Sequence, residues 1–212
     1  MNDKSPSTTT PVVHIVDDDD SIRDSLRMFF KSFNIETNLY HSAQDFLNNH
    51  QITGPSCVLL DQRMPQIDGL QLLNLLQEKN IRIPVIMMTG YGEVATAVRA
   101  MKAGAVDFVE KPFDHDYLLT SIYRSIDRHK QHQNNVILQK SCANRVATLT
   151  RREREVFDLI TEGLINKVVA DKLGISTRTV EAHRAKIIEK LEANTLSDLV
   201  RISIITAATQ TK

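Results

Sequence analysis

The sequence predicts an α/β domain with a five-stranded parallel sheet, followed by a smaller domain built only of helices. Two patterns support this prediction. Short apolar runs alternate with amphipathic stretches over residues 12–125, as in consecutive βα units. From residue 149 onward, apolar positions recur at helical spacing alone. The intervening residues are polar and lack the periodicity of a core helix.

The first domain is expected to be doubly wound, with right-handed crossovers that place helices on both faces of the sheet. In its first helix, five apolar residues recur at helical spacing: Ile22, Leu26, Phe29, Phe30 and Phe33. The predicted strands are 12–16, 35–40, 56–61, 83–89 and 105–110, and the predicted helices are 21–33, 43–50, 68–80, 93–103 and one that begins near 115.

The second domain is expected to contain four helices. Thr150 and Glu153 form the sequence pattern of a capping box at the start of the first one. Gly174, in the turn between the second and third, is typical of a helix-turn-helix. The later helices are predicted over Asn166–Leu173, from the cap Ser176 to Leu191, and over 197–205.

The sequence therefore predicts four parts of the chain. They are a disordered leader at 1–11, the α/β domain at 12–125, a linker at 126–147 and the helical domain at 148–212. The linker is either a solvated extension of the fifth helix or a flexible connection.

Charge and cysteine content narrow the function classes. The whole chain carries 26 basic and 26 acidic side chains, but residues 12–124 carry 10 basic and 15 acidic ones. Residues 149–212 carry 11 basic and 9 acidic ones, so the helical domain is the one expected to meet a polyanion.

Two cysteines cannot form a metal cluster, and Cys57 is expected to be a buried thiol. Neither a signal peptide nor a membrane-spanning stretch is recognisable, so a cytoplasmic protein without a membrane partner is expected.

Polar side chains stand at the carboxyl ends of four predicted strands. Asp17 and Asp18 follow the first strand, Asp61 ends the third, Thr89 ends the fourth and Lys111 follows the fifth. Ligands of open α/β sheets bind in the crevice outside these strand ends. Clustered carboxylates repel one another, and oxygen-liganded Mg²⁺ is a natural neutralising ion. The set predicts a site for Mg²⁺ and a transferable phosphoryl group.

Asp61 is the candidate nucleophile, which would form an aspartyl phosphate. Phosphoryl transfer depends mainly on positioning and charge neutralisation, so Thr89 is expected to bond a phosphoryl oxygen and Lys111 to supply a cation. Asp19 and Asp20 are expected instead to cap the first helix.

Short motifs at these strand ends resemble the receiver domain of bacterial response regulators, and the resemblance covers 12–125. It implies a flavodoxin-like fold, phosphorylation of Asp61 by a sensor histidine kinase, and a switch formed by Thr89 and Phe108. It also implies that Mg²⁺ is held by Asp17, Asp18, Asp61 and the backbone carbonyl of Arg63. The motifs are Val16-Asp17-Asp18, Leu60-Asp61-Gln62-Arg63-Met64-Pro65, Met88-Thr89-Gly90 and Glu110-Lys111-Pro112-Phe113.

The resemblance further implies a homodimer on phosphorylation, through a face that contains Val98 and Lys102. Dimerisation would raise the effective concentration of the second DNA-binding domain at a paired site. The alternative is that phosphorylation releases an inhibitory contact between the two domains. We also expect Arg63 and Tyr91 to flank the path of the water that hydrolyses the phosphoryl group.

The third helix of the second domain has one apolar face and one polar face. By itself this pattern also fits an ordinary surface helix. However, segments such as Ile175-Ser176-Thr177-Arg178-Thr179-Val180-Glu181-Ala182-His183 are similar to the LuxR-class helix-turn-helix. The whole chain thus resembles FixJ-type transcriptional regulators, which bind double-stranded promoter DNA and are expected to meet RNA polymerase. The candidate DNA-binding residues are Arg178, Thr179, Glu181, Ala182, His183, Arg184, Ala185 and Lys186.

Three other function classes are less well supported. A phosphatase using Asp61 and Mg²⁺ would need a general acid, and Arg63 occupies the position two residues beyond the nucleophile where one might sit. A phosphorylation-gated adaptor for protein or RNA would show no preference for a DNA site. A nicotinamide enzyme is disfavoured because no Gly-x-Gly-x-x-Gly follows the first strand. We therefore expect a phosphoacceptor that assists its own phosphotransfer and dephosphorylation rather than an enzyme.

Overall fold

A computed structural model describes residues 10–90 and 94–210 of the 212-residue chain. The chain folds into two compact units, Met1–Gln133 and Asn134–Lys212. The boundary lies within the segment predicted as the linker. Over the described residues, no helix is both long enough and apolar enough to cross a membrane.

The first unit has the predicted alternation of strands and helices. The five strands form one parallel sheet in the order β2-β1-β3-β4-β5, which confirms the predicted fold class. Its elements are β1 (Val12–Val16), α1 (Asp20–Ser32), β2 (Glu36–Tyr40), α2 (Ala43–Asn49), β3 (Ser56–Asp61), α3 (Gly69–Glu78), β4 (Val85–Thr89), α4 (Val94–Lys102), β5 (Asp107–Glu110) and α5 (His115–Ala147).

The fourth strand begins later than the sequence pattern predicts. Residues 83 and 84 lie before β4, and Pro84 has no backbone N–H with which to extend the ladder. Its carbonyl still accepts a hydrogen bond from the Val58 amide at 2.8 Å. The proline therefore leads the chain into the sheet without being part of the strand.

Alternating side chains of the sheet enter two cores. Val13, Ile15, Leu59 and Ile86 pack with α1 and α5 on one face. The other face packs against α2, α3 and α4 through residues that include Val58, Leu60, Phe46, Leu72, Leu76 and Ala100. Both faces of the sheet are covered, so the strand ends are the edges at which polar side chains can gather. Cys57 is fully buried with a free thiol, as predicted.

The helical spacing of the apolar residues in the first helix agrees with α1. Leu26 and Phe30 are buried, and Ile22 and Phe29 pack against the same core. Arg23 is buried as well, whereas Phe33 caps the carboxyl end of the helix and is exposed. Asp19 is the N-cap, and its side chain accepts a hydrogen bond from the Ser21 amide at 2.8 Å.

The last helix of the first unit continues through the segment for which the sequence left two alternatives. α5 spans His115–Ala147 without interruption, so residues 126–147 are helical. Leu118, Ile122 and Ile126 contribute to the first unit's core. Cys142 and Val146, near its end, contribute to the core of the second unit.

The second unit adds four helices, as predicted. They pack around a core that includes Val156, Phe157, Val169, Val180 and Leu199. Gly174 ends the second of them with a left-handed φ of 64°, which lets the chain turn directly into the third. The helices are α6 (Arg151–Thr161), α7 (Asn166–Leu173), α8 (Thr177–Leu191) and α9 (Leu196–Gln210), the last extending beyond the predicted 197–205.

The capping box at the start of α6 also ties that helix to α8. The Thr150 amide donates to Glu153 Oε2 at 2.8 Å, and Lys190 Nζ donates to the same oxygen at 2.6 Å. These bonds, from Lys190 first and then from Thr150, lower the pKa of the buried Glu153 from 4.5 to about 2. Because the folded-state pKa is depressed, the stabilisation is complete above about pH 4.5 and is lost as the pH falls toward 2.

We predict that Glu153→Gln lowers the stability of the second unit at pH 7 by about 1.5–3 kcal/mol, the range for a hydrogen bond to a charged group. The loss should shrink as the pH falls below 4.5, where the native carboxylate begins to lose the same advantage. Amide hydrogen exchange of α6 and α8 would measure both effects. Glu155→Gln is the matched control, because Glu155 pairs with Arg151 and Arg152 at the surface. Equal losses for the two variants would contradict this role of Glu153.

Candidate functional site

The carboxyl edge of the sheet brings three charged side chains into direct contact. Lys111, one residue beyond β5, donates from Nζ to Asp17 Oδ2 at 2.8 Å and to Asp61 Oδ1 at 2.6 Å. Asp17 follows β1, and Asp61 is the last residue of β3. Because β1 and β3 are hydrogen-bonded neighbours, the two carboxylates emerge side by side. One ammonium thus bridges residues that lie 94 and 50 positions away in sequence.

Burial makes this contact electrostatically important. Asp17 and Asp61 are both buried, and the Lys111 side chain is 23% exposed. Burial raises the pKa of Asp61 and outweighs the opposing effect of Lys111. For Lys111 burial acts in the lowering direction, but the hydrogen bonds to Asp17 and Asp61 prevail and raise its pKa. Lys111 therefore stays protonated as the counter-charge of the two acids.

Backbone amides orient the same carboxylates. The Arg63 amide donates to Asp61 Oδ2 at 2.7 Å, and the Asp19 amide donates to Asp17 Oδ1 at 2.9 Å. Arg23, buried on α1, donates to the Asp17 carbonyl and to the Asp20 carboxylate. Sequence reasoning missed Arg23, although it lies three and seven residues before Leu26 and Phe30 on one helical face.

Asp18 lies apart from this cluster and faces an open cleft of about 500 Å³. The cleft is also lined by Gln62, Arg63 and Met64. Asp18 is exposed, and its carboxylate has no hydrogen-bond or ion-pair partner among the residues described. Its oxygens are therefore available at this cleft.

The three acids supply the hard oxygen donors that Mg²⁺ requires. Two of them, Asp17 and Asp61, are gathered around the Lys111 ammonium. Across residues 10–90 and 94–210, no three His, Cys, Asp or Glu side chains assemble around one point as metal ligands do. The donor chemistry fits a divalent cation, with Asp18 at the cleft as the carboxylate not engaged by lysine.

A glycine allows the first turn of α3 to pack against the end of β3, the strand that ends at Asp61. A Cβ at Gly69 would collide with the carbonyl oxygen of Asp61 and lie 2.8 Å from Met87 Cε. The Gly69 amide donates to the Gln62 carbonyl at 2.9 Å. The sequence alone does not reveal this close approach, since it depends on contacts with other elements of the fold.

The predicted switch pair lies on adjacent strands. Thr89 is buried at the end of β4, and Phe108 on β5 is 40% exposed. The register places Met87 beside Phe108 and Thr89 beside Glu110. The exposed Val98 and Lys102 lie one turn apart on α4. Tyr91 lies outside the residues that the structure describes.

The candidate DNA-binding residues lie on α8 and fall into two groups. Six of them are exposed: Arg178, Thr179, Glu181, Ala182, Ala185 and Lys186. His183 and Arg184 are half-buried, between the exposed face and the core positions Val180 and Ile187. The Thr179 amide and hydroxyl both bond the N-cap Ser176, at 3.1 and 2.8 Å.

Arg184 is the residue that connects the two helices of the helix-turn-helix. Its Nη1 donates to Asn166 Oδ1, on the first residue of α7, at 2.8 Å. Arg184 therefore links α8 to α7 through this hydrogen bond. Asn166 was not among the predicted site residues, because an asparagine at the start of a helix is usually explained as a local capping residue.

A buried acid pair with a lysine at the strand ends, joined to a helix-turn-helix, defines a phosphorylation-controlled DNA-binding regulator. Comparison with known families supports this assignment. Residues 13–123 match the response regulator receiver domain, and residues 147–203 match the luxR family of bacterial regulatory proteins. The chain belongs to the response regulators that combine these two domains. It is a DNA-binding transcriptional response regulator of a two-component system.

Relatives and solved structures match over nearly the whole chain. The transcriptional regulatory protein FixJ of Azorhizobium caulinodans is 39% identical over 91% of this chain and 92% of its own length. FixJ of Bradyrhizobium diazoefficiens is 40% identical over 93% of this chain and 96% of its own length. The structure of the response regulator StyR covers 92% of this chain and 98% of its own, with a TM-score of 0.83 and 35% identity. The structure of full-length FixJ from B. japonicum covers 95% of this chain and 99% of its own, with a TM-score of 0.58 and 39% identity.

We predict that Lys111→Met destabilises the metal-free first unit by about 1–3 kcal/mol, because it leaves two buried carboxylates without their counter-charge. Asp61→Asn in the same chain should recover part of that loss, since it removes one of the repelling charges. Denaturant unfolding of the single and double variants would measure the coupling. Lys31→Met on the exposed end of α1 is the control. Losses that simply add in the double variant would show that Lys111 and Asp61 do not interact.

Proposed function

We propose that Asp61 is the phosphoacceptor and that a sensor histidine kinase is its donor. The contact between Lys111 and Asp61 supports this most directly, because it places a fixed cation 2.6 Å from the carboxylate that would react. A cleft lined by Asp18, Gln62 and Arg63, which are neighbours of Asp17 and Asp61 in the sequence, would give a donor an approach. A buried carboxylate beside a bound ammonium suits nucleophilic attack on phosphorus.

In the proposed transfer, an Asp61 oxygen forms a bond to phosphorus while the bond from phosphorus to the donor's imidazole nitrogen breaks. The electron pair of that bond leaves with the imidazole. Lys111 holds positive charge beside the incoming phosphoryl oxygens, and the Thr89 hydroxyl donates to one of them. Arg63 lies two residues beyond Asp61, where its side chain would hinder the water that later hydrolyses the acyl phosphate.

We assign the cation site of the reaction to Asp17, Asp18, Asp61 and the backbone carbonyl of Arg63. Mg²⁺ bound there would neutralise charge on the phosphoryl group and the carboxylates. The support is the oxygen chemistry of these donors and the unpaired carboxylate of Asp18 at the cleft. Asp17 and Asp61 keep their places through the Asp19 and Arg63 amides.

We predict that Asp61→Asn abolishes stable phosphorylation and leaves the fold intact, since the amide cannot act as the nucleophile. Acetyl phosphate with Mg²⁺ should label the wild type, as read by intact-protein mass spectrometry. Asp24→Asn is the control, because Asp24 is an exposed carboxylate on α1 paired with Arg27. Undiminished labelling of the Asp61 variant would place the phosphoacceptor elsewhere.

We further propose that α8 enters the major groove of promoter DNA. The exposed Ala182 and Ala185 allow close approach to bases, and the exposed Glu181 beside Ala182 can accept a hydrogen bond from cytosine N4. Arg178 and Lys186 are exposed cations on the same helix and suit phosphate contacts. RNA polymerase is the proposed partner at the promoter, and the cytoplasm is the proposed compartment.

We predict that Lys186→Ala weakens binding to all DNA sequences and lowers the salt slope by about one unit, as the loss of one phosphate contact requires. Glu181→Ala should instead relax the preference at a single base position. Binding to a site selected from genomic fragments would be measured at several salt concentrations. Glu189→Ala, exposed further along α8, is the control for Glu181. An unchanged selected site in the Glu181 variant would contradict base reading by this residue.

Phosphorylation is proposed to promote a homodimer through α4 and β5. Val98 is a large apolar residue with 47% exposure, and the exposed Lys102 lies one turn away. Movement of Thr89 toward the phosphoryl group would open space for Phe108 and change this face. A dimer would raise DNA affinity through effective concentration alone.

We predict that Val98→Glu or Lys102→Glu prevents dimerisation of the phosphorylated chain and lowers its affinity for a paired DNA site to the same extent. Analytical ultracentrifugation and binding to the selected site would be compared. Met28→Glu is the control, because Met28 is an exposed apolar residue on α1. If phosphorylation raises DNA affinity while the chain stays monomeric, release of an inhibitory contact replaces dimerisation as the mechanism.

A further inference from the structure

A cavity of about 240 Å³ lies at the edge of the sheet opposite Asp61. Its floor is apolar and consists of Ile83, Pro84 and Val106, which precede β4 and β5. One wall is formed by α5, in the polar run of residues 128–135 that no part of the proposed phosphorylation explains. The cavity is smaller than the roughly 300–1,000 Å³ of drug-sized sites, so it suits a small ligand.

The polar part of the lining is basic. Arg82, Arg128 and His132 contribute nitrogen groups, and none of the described residues that line the cavity is an acid. The Arg128 guanidinium forms no hydrogen bond or ion pair with any part of the chain that the structure describes. Arg82 uses Nε for a bond to Asn80 Oδ1 at 3.1 Å, which leaves its two terminal nitrogens. Two guanidinium groups at one small cavity favour an anion, and a carboxylate matches their planar geometry.

The wall between these cations is held in place. His129 is 4% exposed, and its Nδ1 accepts a hydrogen bond from the Ser56 amide at 3.0 Å. Its Nε2 lies 3.3 Å from the Gln133 side chain, which also donates to the Gly54 carbonyl. A buried side chain fixed from both ring nitrogens gives the cavity a preformed wall, which reduces the entropy lost on binding.

We propose that this cavity binds a small organic anion, namely a carboxylate attached to a compact apolar group. The carboxylate would lie between Arg82 and Arg128, and the apolar group would cover the floor at Val106. Neither an inorganic anion nor a neutral apolar molecule satisfies both parts of the lining. The site lies at the opposite strand ends from Asp61 and uses none of the residues assigned to phosphorylation, so its test is independent of that proposal.

Benzoate is the probe, titrated into the full-length chain and followed by two-dimensional amide NMR. We expect saturable shifts at the amides of Ile83, Val106 and His129, and none near Asp61. Benzamide, which has the same ring and no charge, should bind at least about tenfold more weakly, as should inorganic phosphate. Equal affinity for benzamide would contradict the role of the cations, and equal affinity for phosphate would contradict that of the apolar floor.

Arg128→Gln and Arg82→Gln should each weaken benzoate binding about tenfold or more, because each removes a charged donor from an exposed position that the fold does not need. Lys130→Gln is the matched control, since Lys130 is an exposed cation on α5 outside the cavity lining. Its affinity for benzoate should equal that of the wild type. Benzoate affinities that fall equally in all three variants, or in none, would overturn the proposed site.

Discussion

Two buried carboxylates held by one ammonium form the constraint on which the first unit depends. Asp17 and Asp61 emerge from neighbouring strands, and their mutual repulsion in a water-poor environment would oppose the parallel pairing of β1 with β3 at this end. Lys111, arriving from the far side of the sheet beyond β5, offsets that repulsion at 2.8 and 2.6 Å. The order β2-β1-β3-β4-β5 thus determines the electrostatics of the site as well as the packing of the core, because it brings these three strand ends to one crevice.

The same arrangement leaves the cluster sensitive to added charge. A phosphoryl group brings about −1.5 to −2 charges at neutral pH, which would add to the two carboxylates that Lys111 already contacts. In the proposed phosphorylation of Asp61, that charge would require a further hydrogen-bond donor, and the Thr89 hydroxyl is the donor proposed. Thr89 and Phe108 lie on paired strands, with Phe108 two residues before Glu110, the register partner of Thr89.

Sequence patterns were sufficient to predict which polar residues stand at the strand ends, but not to predict the contacts between those residues. Asp61 and Lys111 could be placed at one edge because apolar runs identify strands and parallel strands end together. The pairing of Lys111 with both acids could not be predicted, since it depends on the directions that the side chains take at three strand ends. Arg23 and Gly69 were missed for a similar reason: their buried neighbours, the Asp17 and Asp61 carbonyls, belong to other elements. In the second unit, the capping box of Thr150 and Glu153 was local and predictable, whereas the bond from Arg184 to Asn166 joins two helices and was not.

The bridging ammonium can be observed directly by nitrogen-15 NMR of lysine side chains in the metal-free, unphosphorylated chain. A Lys111 Nζ held by Asp17 and Asp61 should give an ammonium signal whose protons exchange slowly with water and show through-space contacts to both aspartates. The signal should change most in an Asp61→Asn chain and should remain in an Asp24→Asn chain. An ammonium of Lys111 that exchanges as fast as an exposed lysine such as Lys130, without contact to either acid, would contradict the account.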